Sequence, residues 1–371
     1  MIKLILKILL GLFIVLAGLV TTLYFHMQSH AIVTVEEVIP ANEAQQTQEA
    51  IDIFKNVIDV TNSGMATRGA HAKGHACVKA YIDVNKDIDP QLQYGIFKTA
   101  GQRYKSWIRF SNGSSRLANS DDNKNDTRGM AIKIFGLKKT EGLMGAGTQD
   151  FLMHNSPAFF STDLNDYNQL VAAEDKTGYF IKGLNPFNWR LRELSHVIDT
   201  LGPPPYSPVS DSYFSNTAYK LGPHNIKFMT SACSSSHFPS DTNPNNDQSD
   251  FLKQTLVQEL EGNSACMQLS VQLQDASKFM PIEDVSVLWK ESDSPFIPVA
   301  TLTIIKQTFD STEQQQYCEN LSFSPWNTLP EHRPIGALNR ARKLVYEASS
   351  HYRHKLNNQP VSEVIEWVEN H

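Results

Sequence analysis

The sequence predicts an α+β fold in which helices pack against an antiparallel sheet or barrel, preceded by one membrane-spanning helix. Strand-like segments come before the main helical segments rather than alternating with them, which argues against a doubly wound sheet. Neither G-x-G-x-x-G nor G-x-x-x-x-G-K follows a strand, so a nucleotide site has no support. The run Leu4–Phe25 is almost wholly apolar, which predicts the membrane-spanning helix.

The first 26 residues are predicted to be a membrane anchor. Lys3 and Lys7 place positive charge at the start of the apolar run, so the amino end should stay in the cytoplasm and the rest should lie on the extracytoplasmic, periplasmic side. A cleaved signal peptide is the alternative. Residues 27–48 are polar and acidic and are interpreted as a tether, and residues 49–371 as the globular domain.

The net charge argues against a nucleic-acid partner, and the cysteine count is compatible with either disulfides or free thiols. The 371 residues carry a formal net charge of -6, which gives no electrostatic footprint for nucleic acid. The four cysteines permit two disulfides in an oxidising compartment, and four thiols packed in the core are an equal alternative. Their wide spacing resembles no zinc pattern.

The elements of the domain follow from hydrophobic periodicity and β-propensity. Predicted strands are 76–84, 107–110, 130–135, 226–230, 267–273 and 299–305, and predicted helices are 49–60, 93–104, 251–260, 336–355 and 361–370. The stretch 112–126 is rich in Asn, Ser and Asp and is predicted to be a loop.

The last long helix carries a phenol between two guanidinium groups. Arg342, Tyr346 and Arg353 are four and then seven residues apart, which returns them to nearly one helical face. Nearby positive charge favours the anionic form of a phenol. Tyrosinate is a known ligand of haem iron. The plainer alternative is an amphipathic helix whose tyrosine packs inward while the arginines reach solvent.

Further stretches, in sequence order, resemble the haem catalase family. They are His71-Ala72-Lys73-Gly74, Arg109-Phe110-Ser111, Asp126-Thr127-Arg128-Gly129, Asn155-Ser156-Pro157 with Phe159-Phe160, Ser294-Pro295-Phe296-Ile297-Pro298-Val299 and Leu321-Ser322-Phe323-Ser324-Pro325. Arg342, Tyr346 and Arg353 then fall at the family's spacing. The resemblance covers about residues 68–353 and implies a catalase-like antiparallel β-barrel with surrounding helices, binding haem b.

The resemblance also implies roles for individual residues. Tyr346 would be the axial ligand of the haem iron, held as phenolate by Arg342. His71 would be the distal acid–base group, oriented by Ser111, and Asn155 would donate a hydrogen bond to the peroxide. Arg68, Arg109 and Arg353 would bind the haem propionates. An aromatic wall of Phe159, Phe160 and Tyr167 would pack on the porphyrin.

The sequence departs from the family at two places in the distal region. The large catalases have two asparagines where this chain has His154-Asn155, so the distal position falls on one or the other, and Asn155 is preferred as a neutral donor. Ala70 replaces a larger branched residue and should widen the approach to the iron. The segments that connect the motifs are also short. Together with the two departures above, they resemble the compact, catalase-related peroxidase branch.

The predicted function is reduction of hydrogen peroxide or organic hydroperoxides with a small-molecule electron donor, by an enzyme attached to the membrane through its N-terminal helix. A homo-oligomer is left open. One alternative is a fatty-acid hydroperoxide isomerase or lyase resembling the allene oxide synthases. The other is a non-catalytic haem-binding protein that kept the fold.

Overall fold

The computed structural model describes residues 2–29, 34–58, 60–61, 64–116, 120–137, 147–236, 238, 243, 245–360 and 366–367. Within these residues the strands are β1 (Gly74–Val84), β2 (Arg103–Asn112), β3 (Arg128–Ile134), β4 (Gln149–His154), β5 (Tyr213–Phe214), β6 (Tyr219–Leu221), β7 (His224–Ala232), β8 (Ala265–Leu273) and β9 (Phe296–Ile304). The helices are α1 (Ile2–Ser29), α2 (Glu43–Val57), α3 (Leu164–Ala172), α4 (Lys176–Phe180), α5 (Leu191–Thr200), α6 (Phe251–Gly262), α7 (Thr312–Asn320) and α8 (Ala337–Leu356).

The strands form a closed antiparallel barrel, which confirms the predicted barrel with surrounding helices. β1 pairs with β2 on one side and β9 on the other, and pairing continues through β3 and β4 and through β8 and β7. The two-residue strand β5 closes the ring, because Phe214 pairs with His154 of β4 and Tyr213 pairs with Thr230 of β7. Eight strands complete the barrel, and β6 pairs with β7 outside the ring.

Alternation along each strand divides the barrel residues into two sets. Val78, Ala80 and Ile82 of β1, Ile108 of β2 and Ile132 of β3 are buried together in the largest apolar core. Their neighbours in sequence point outward, because successive strand side chains face opposite sides of a sheet. The outer faces of the barrel are therefore free to receive helices.

All six predicted strands correspond to observed strands, and one predicted helix is wrong. The segment 93–104, predicted as a helix, contains a 3₁₀ turn at Gly95–Phe97, and β2 begins at Arg103. Gly95 and Gly101 have φ of 56° and 74°, in the left-handed region that a right-handed helix cannot contain. The predicted helix 361–370 lies outside the described residues apart from Glu366 and Trp367, which are irregular.

The N-terminal helix α1 contains one segment, Lys3–Leu23, that is long and apolar enough to cross a membrane, and none of that window is buried against the rest of the chain. A signal sequence has the same properties. Helix α2 begins at Glu43, six residues before the predicted start at residue 49. Ahead of it, the backbone N–H of Val38 donates to the Glu283 carboxylate at 2.8 Å, so this part of the predicted tether contacts the domain.

All four cysteines are paired. Cys77 of β1 is bonded to Cys318 of α7, and Cys233 is bonded to Cys266 at the start of β8. The structure thus contains two disulfides rather than four free thiols packed in the core. The Cys77–Cys318 bond fixes α7 on the outer face of β1, in a small apolar cluster with Trp107, Leu321 and Trp367.

Candidate active site

The main cavity lies outside the barrel, between the outer face of β2, β3 and β4 and the helices α2, α3 and α8. Its volume is about 340 Å³. Arg109, Ser111, Gly129, Leu152 and His154 reach it from the three strands, and they belong to the outward-facing set of the alternation. Helix α8 supplies the opposite wall through Arg342, Val345, Tyr346, Ser349 and Arg353.

His71 lines the cavity in a constrained backbone conformation. Its φ is 55°, a value that is uncommon for a residue with a side chain. Its ring lies against Gly129, where a Cβ atom would come within 2.5 Å of Nδ1, so only glycine leaves room for the imidazole. The main-chain N–H of His71 donates to the Gly113 carbonyl at 3.1 Å. Backbone and neighbours together fix the position of the ring.

Hydrogen bonds set the tautomer of His71. Nδ1 lies 3.0 Å from the Asn112 carbonyl oxygen, which can only accept, so Nδ1 carries the proton and donates. The Ser111 hydroxyl oxygen is 3.2 Å from the same nitrogen, within hydrogen-bond distance. Burial, with the positive charge of Arg109, lowers the pKa of His71 to about 4. His71 is therefore neutral at pH 7 with an unprotonated Nε2.

A buried polar network holds Asn112 in turn. The Asn112 side-chain amide donates to the Asp122 carboxylate at 2.9 Å, and its oxygen accepts from Arg128 at 2.7 Å and faces His75 Nε2 at 2.9 Å. Lys73 pairs with the same Asp122 carboxylate at 2.7 Å. The carbonyl that orients His71 is thereby anchored through side chains that do not touch the cavity.

The structure places His154, and not Asn155, at the cavity. His154 lines it, whereas the Asn155 side chain accepts from the Arg128 backbone N–H at 2.7 Å and donates to Asp211 at 2.9 Å. The Asn155 side chain, preferred from the sequence as the distal donor, therefore does not line this cavity. The reason is alternation: His154 ends β4 on the outward face with Leu152, and the next residue turns to the other side.

One ring nitrogen of His154 is hydrogen-bonded to the backbone, and the other has no partner among the described residues. Its Nδ1 accepts from the Ser156 backbone N–H at 3.3 Å, which leaves the proton of the neutral ring on Nε2. Nε2 is buried and has no hydrogen-bond partner among the described residues. Burial and nearby positive charge lower the pKa of His154 to about 3, so the neutral form prevails. The site holds a second imidazole with a free N–H donor.

The phenol and its guanidinium partner lie together on α8. Arg342 Nη2 donates to the Tyr346 oxygen at 3.1 Å, and its Nη1 donates to the Asn339 side-chain oxygen at 3.0 Å. Burial alone would lower the pKa of Arg342, but Tyr346 and Tyr219 raise it above its ordinary value. The predicted helix 336–355 is observed as Ala337–Leu356, so the predicted pairing of these two residues on one face is present.

Three arginines meet at one end of the cavity. Arg68 Nη1 contacts the Glu319 carboxylate at 2.6 Å, and Arg109 Nη2 approaches it at 3.5 Å. Arg353 donates to the Glu319 main-chain carbonyl at 2.5 Å. Although burial opposes ionisation, these guanidinium groups hold the pKa of Glu319 below its usual range.

This arginine cluster has more positive charge than its carboxylate neutralises. Burial and the neighbouring Arg68 lower the pKa of Arg109 to about 9 and that of Arg353 to about 10. Arg109 Nε is buried without a hydrogen-bond partner among the described residues. Three cations against one anion leave two unbalanced charges, so the cluster fits a dianionic ligand group.

Aromatic rings form the side wall. Phe159 and Phe160 stack with centroids 4.3 Å apart, and Tyr167 lies 5.8 Å from both. Phe54 of α2 stacks on the outer side of Tyr167 at 6.2 Å. The predicted wall of Phe159, Phe160 and Tyr167 is thus brought together, and all three residues line the cavity.

Sequence reasoning did not identify Glu319 or Asn112. It also did not show that Gly129 leaves room for the His71 ring. Asn112 directly follows Ser111, and Gly129 pairs with both Ser111 and His154 across neighbouring strands, so strand register would have indicated both. Glu319 lies 251 residues from Arg68 and carries no local signal.

Parts of the chain are similar in sequence to known catalases. The family model described as Catalase matches residues 41–179. A catalase of Ascaris suum is 34% identical over 96 residues, 26% of this chain and 16% of that protein. Catalase A of Pseudomonas putida is 22% identical over 332 residues, 83% of this chain and 66% of that protein. The chain thus spans about two-thirds of the Pseudomonas putida protein and a far smaller part of the Ascaris suum one.

A solved structure shares the fold. A fungal catalase superposes with a TM-score of 0.61 at 17% identity, covering 87% of this chain and 66% of its own. The predicted catalase-like barrel is therefore confirmed, and sequence relatives, family model and fold agree with the resemblance drawn from the motifs. The chain is therefore similar to catalases over part of its sequence, and its fold is catalase-like.

Proposed function

We propose that the protein is a haem-dependent peroxidase with catalase-like chemistry, which reduces hydrogen peroxide or organic hydroperoxides at a haem b ligated by Tyr346. The observation that carries the proposal is a single cavity with Tyr346 and its donor Arg342 on one wall and the neutral His71 on another. A tyrosinate with a cationic partner is the ligand that catalases use for haem iron.

The residues around the cavity fit a haem. The arginine cluster has an excess of two positive charges and a free Arg109 Nε–H, which match two propionates. The aromatic wall of Phe159, Phe160 and Tyr167 offers faces for an apolar macrocycle. Arg68, Arg109 and Arg353 would hold the propionates, and Tyr346 would hold the iron.

Arg342 acts on Tyr346, the proposed iron ligand. Its donation to the Tyr346 oxygen stabilises the phenolate, because a hydrogen bond to the charged form favours that form. Asn339 holds the guanidinium in place at 3.0 Å. The haem iron, when bound, supplies the redox chemistry that splits the O–O bond.

His71 moves the proton on the distal side. With Nδ1 donating to the Asn112 carbonyl, the lone pair of Nε2 takes the proton from the peroxide O–H group and returns it to the departing oxygen. Its lowered pKa keeps the ring in the accepting form at neutral pH. Ser111 and Gly129 fix the ring for this transfer.

His154 takes the place assigned to Asn155 as the distal donor. Its Nε2–H is directed by the Ser156 N–H contact at Nδ1 and has no partner among the described residues. A pre-oriented donor stabilises negative charge that develops on the peroxide oxygen. The lowered pKa of His154 keeps it from competing with His71 for the proton at pH 7.

The balance between the two peroxide activities favours peroxidase. Ala70 lines the cavity beside His71, and its methyl group leaves more room than a larger branched side chain would. Room at this position suits organic hydroperoxides and small-molecule electron donors. The sequence relatives and the structural neighbour described above are catalases, so we keep disproportionation of hydrogen peroxide as a second activity.

We further infer that α1 anchors the protein in a membrane, with the domain on the extracytoplasmic side. The candidate span Lys3–Leu23 and the positive charge at its start support the anchor and its orientation. The two disulfides support an oxidising compartment.

The test is the absorption spectrum of the purified ferric protein. We expect a phenolate-ligated, high-spin haem in the wild type that disappears in Tyr346→Phe. Tyr352→Phe, a partly exposed tyrosine on the same helix, is the control and should keep the spectrum. A colourless wild type, or an unchanged spectrum in Tyr346→Phe, would refute the assignment.

A second variant separates an enzyme from a haem carrier. His71→Ala should retain the haem spectrum and lose peroxide turnover by roughly two to four orders of magnitude, because an acid–base group contributes that much. Full turnover in His71→Ala would remove the distal assignment, and absence of turnover in the wild type with haem bound would indicate a non-catalytic protein.

A further inference from the structure

An apolar turn projects from the domain between α4 and α5. Leu184 is fully exposed at 100%, and Ile181 and Phe187 are each 41% exposed. Lys182 is exposed beside them. Large apolar side chains gathered on one exposed turn, with a basic residue among them, are typical of an interaction surface rather than of ordinary solvent contact.

The turn is ordered by its own hydrogen bonds. The Trp189 indole N–H donates to the Gly183 carbonyl at 3.0 Å, and the Phe187 N–H donates to the Asn185 side chain at 3.1 Å. The Arg190 N–H closes the turn by donating to the Phe180 carbonyl at 2.8 Å. Leu184 is therefore presented at a fixed tip.

Two bridges place this turn beside the segment that leads from α1 into the domain. In the first, Glu283 accepts from the Val38 N–H at 2.8 Å, and the adjacent Asp284 accepts from Arg192, two residues after Arg190, also at 2.8 Å. Residues 283 and 284 are neighbours in the chain, so the two contacts lie close together.

The second bridge runs through α3. Asn168 donates to the Gln46 carbonyl at 2.8 Å, and the adjacent Gln169 accepts from Arg190 at 2.8 Å. Gln46 belongs to the first turns of α2. The turn and the segment 34–46 therefore lie on one side of the domain.

The same side must lie close to α1. Only residues 30–33 separate Ser29 at the end of α1 from Thr34. Five fully extended residues span at most about 18 Å. Val38 and Ile39, which follow, are 49% and 70% exposed. If α1 crosses a membrane, Val38, Ile39 and the apolar turn are held near its surface.

We propose that Val38, Ile39, Ile181, Leu184 and Phe187, here called the anchor-side patch, rest in the interfacial layer of a lipid bilayer as a second membrane contact beside α1. The proposal rests on the anchoring inferred above. Exposed Leu and Phe with a nearby Trp and Lys suit the boundary between headgroups and acyl chains. The contact would turn the side of α2 and α3, whose residues wall the cavity, toward the membrane.

The experiment uses the full chain in vesicles whose lipids carry bromine on the acyl chains. Trp189 fluorescence, obtained as the difference between the wild type and Trp189→Phe, should be quenched by these lipids and not by unlabelled ones. Leu184→Asp with Phe187→Asp should abolish the quenching, because each removed apolar side chain lowers transfer into lipid roughly tenfold.

Ile198→Asp is the matched control, since Ile198 is 61% exposed near the far end of α5. It should leave the quenching intact, and all variants should keep the helix content of the wild type. Unquenched Trp189 in membrane-bound wild-type protein would overturn the proposal. A change in oligomeric state on Leu184→Asp, without quenching in the wild type, would assign the patch to a second copy of the chain instead.

Alkaline extraction of the vesicles distinguishes failure of the α1 anchor from failure of the patch contact. Wild-type protein that is released by alkali lacks the anchor, which removes the basis of the patch contact as well. Protein that resists extraction but shows no quenching retains the anchor and contradicts the patch contact alone. Neither outcome depends on peroxide turnover.

Discussion

Replacing Arg342 by Gln tests the proposal that Arg342 keeps Tyr346 anionic as the iron ligand. Arg342 Nη2 lies 3.1 Å from the Tyr346 oxygen in a partly buried site, so the contact is a charge-assisted hydrogen bond when the phenol is ionised. Such bonds contribute about 1.5–3 kcal/mol. Glutamine can still donate but carries no charge, so most of this stabilisation of the phenolate should be lost.

This energy converts directly into a change in haem affinity. A loss of about 1.5–3 kcal/mol corresponds to roughly a ten- to hundredfold increase in a dissociation constant. Because the proposed iron ligand is the tyrosinate, the loss falls on the haem-bound protein. We therefore expect the dissociation constant for haem, measured by competition with apomyoglobin, to rise roughly ten- to hundredfold in Arg342→Gln.

Lys343→Gln is the matched control. It removes one positive charge from the neighbouring position of the same helix, but Lys343 is exposed and lies over the Trp326 ring at 5.2 Å. Its dissociation constant for haem should not change measurably, since exposed charges are screened. Equal increases in the two variants would show that net helix charge matters and not the hydrogen bond to Tyr346. No increase in Arg342→Gln would refute the proposed role of Arg342.

Three more predictions concern the distal residues and a disulfide. His154→Ala should lower peroxide turnover about a hundredfold with haem retained, as expected for a lost donor, whereas Asn155→Ala should mainly lower the melting temperature; the reverse result would restore Asn155 as the donor. Because the pKa of His71 is lowered to about 4, kcat/KM should stay level as pH falls to about 5 and drop with a midpoint near 4; a midpoint near 6.5 would show that the ring is not buried as described. Cys77→Ser with Cys318→Ser should reduce stability by about 2–4 kcal/mol and speed haem loss in a competition assay with apomyoglobin; unchanged haem retention would show that α7 stays in place without the bond.

Long elements with a repeating pattern could be predicted from sequence, and very short ones could not. Helix α8 was predicted within one residue at each end, because its apolar and basic positions recur with helical spacing. Strand β5 closes the barrel with only Tyr213 and Phe214, too few residues for any alternation to be visible. The barrel's closure is thus set by tertiary pairing rather than by a local pattern.

The choice between His154 and Asn155 met the same limit. Strand β4 was not recognised, so the rule that alternate residues face opposite sides could not be applied at its end. With β4 in place, His154 shares a face with Leu152 and faces the cavity. The motif located the site to within one residue, and the strand register decided between the two neighbours.

Long-range partners lay beyond sequence reasoning for a different reason. Glu319 meets Arg68 only because the Cys77–Cys318 bond and the packing of α7 bring the two together. Disulfide pairing among four cysteines has three possible connectivities, and spacing alone does not choose among them. By contrast, Arg68, Arg109 and Arg353 were each found from local motifs.

The arginine cluster also bears on when the proposed haem can bind. Arg68 and its carboxylate partner Glu319 are separated by 251 residues, and Tyr346 follows later still. A nascent chain that has emerged only as far as the first strands contains Arg68 and His71 but neither Glu319 nor Tyr346. On the proposed function, haem therefore binds only after nearly the whole chain has been synthesised.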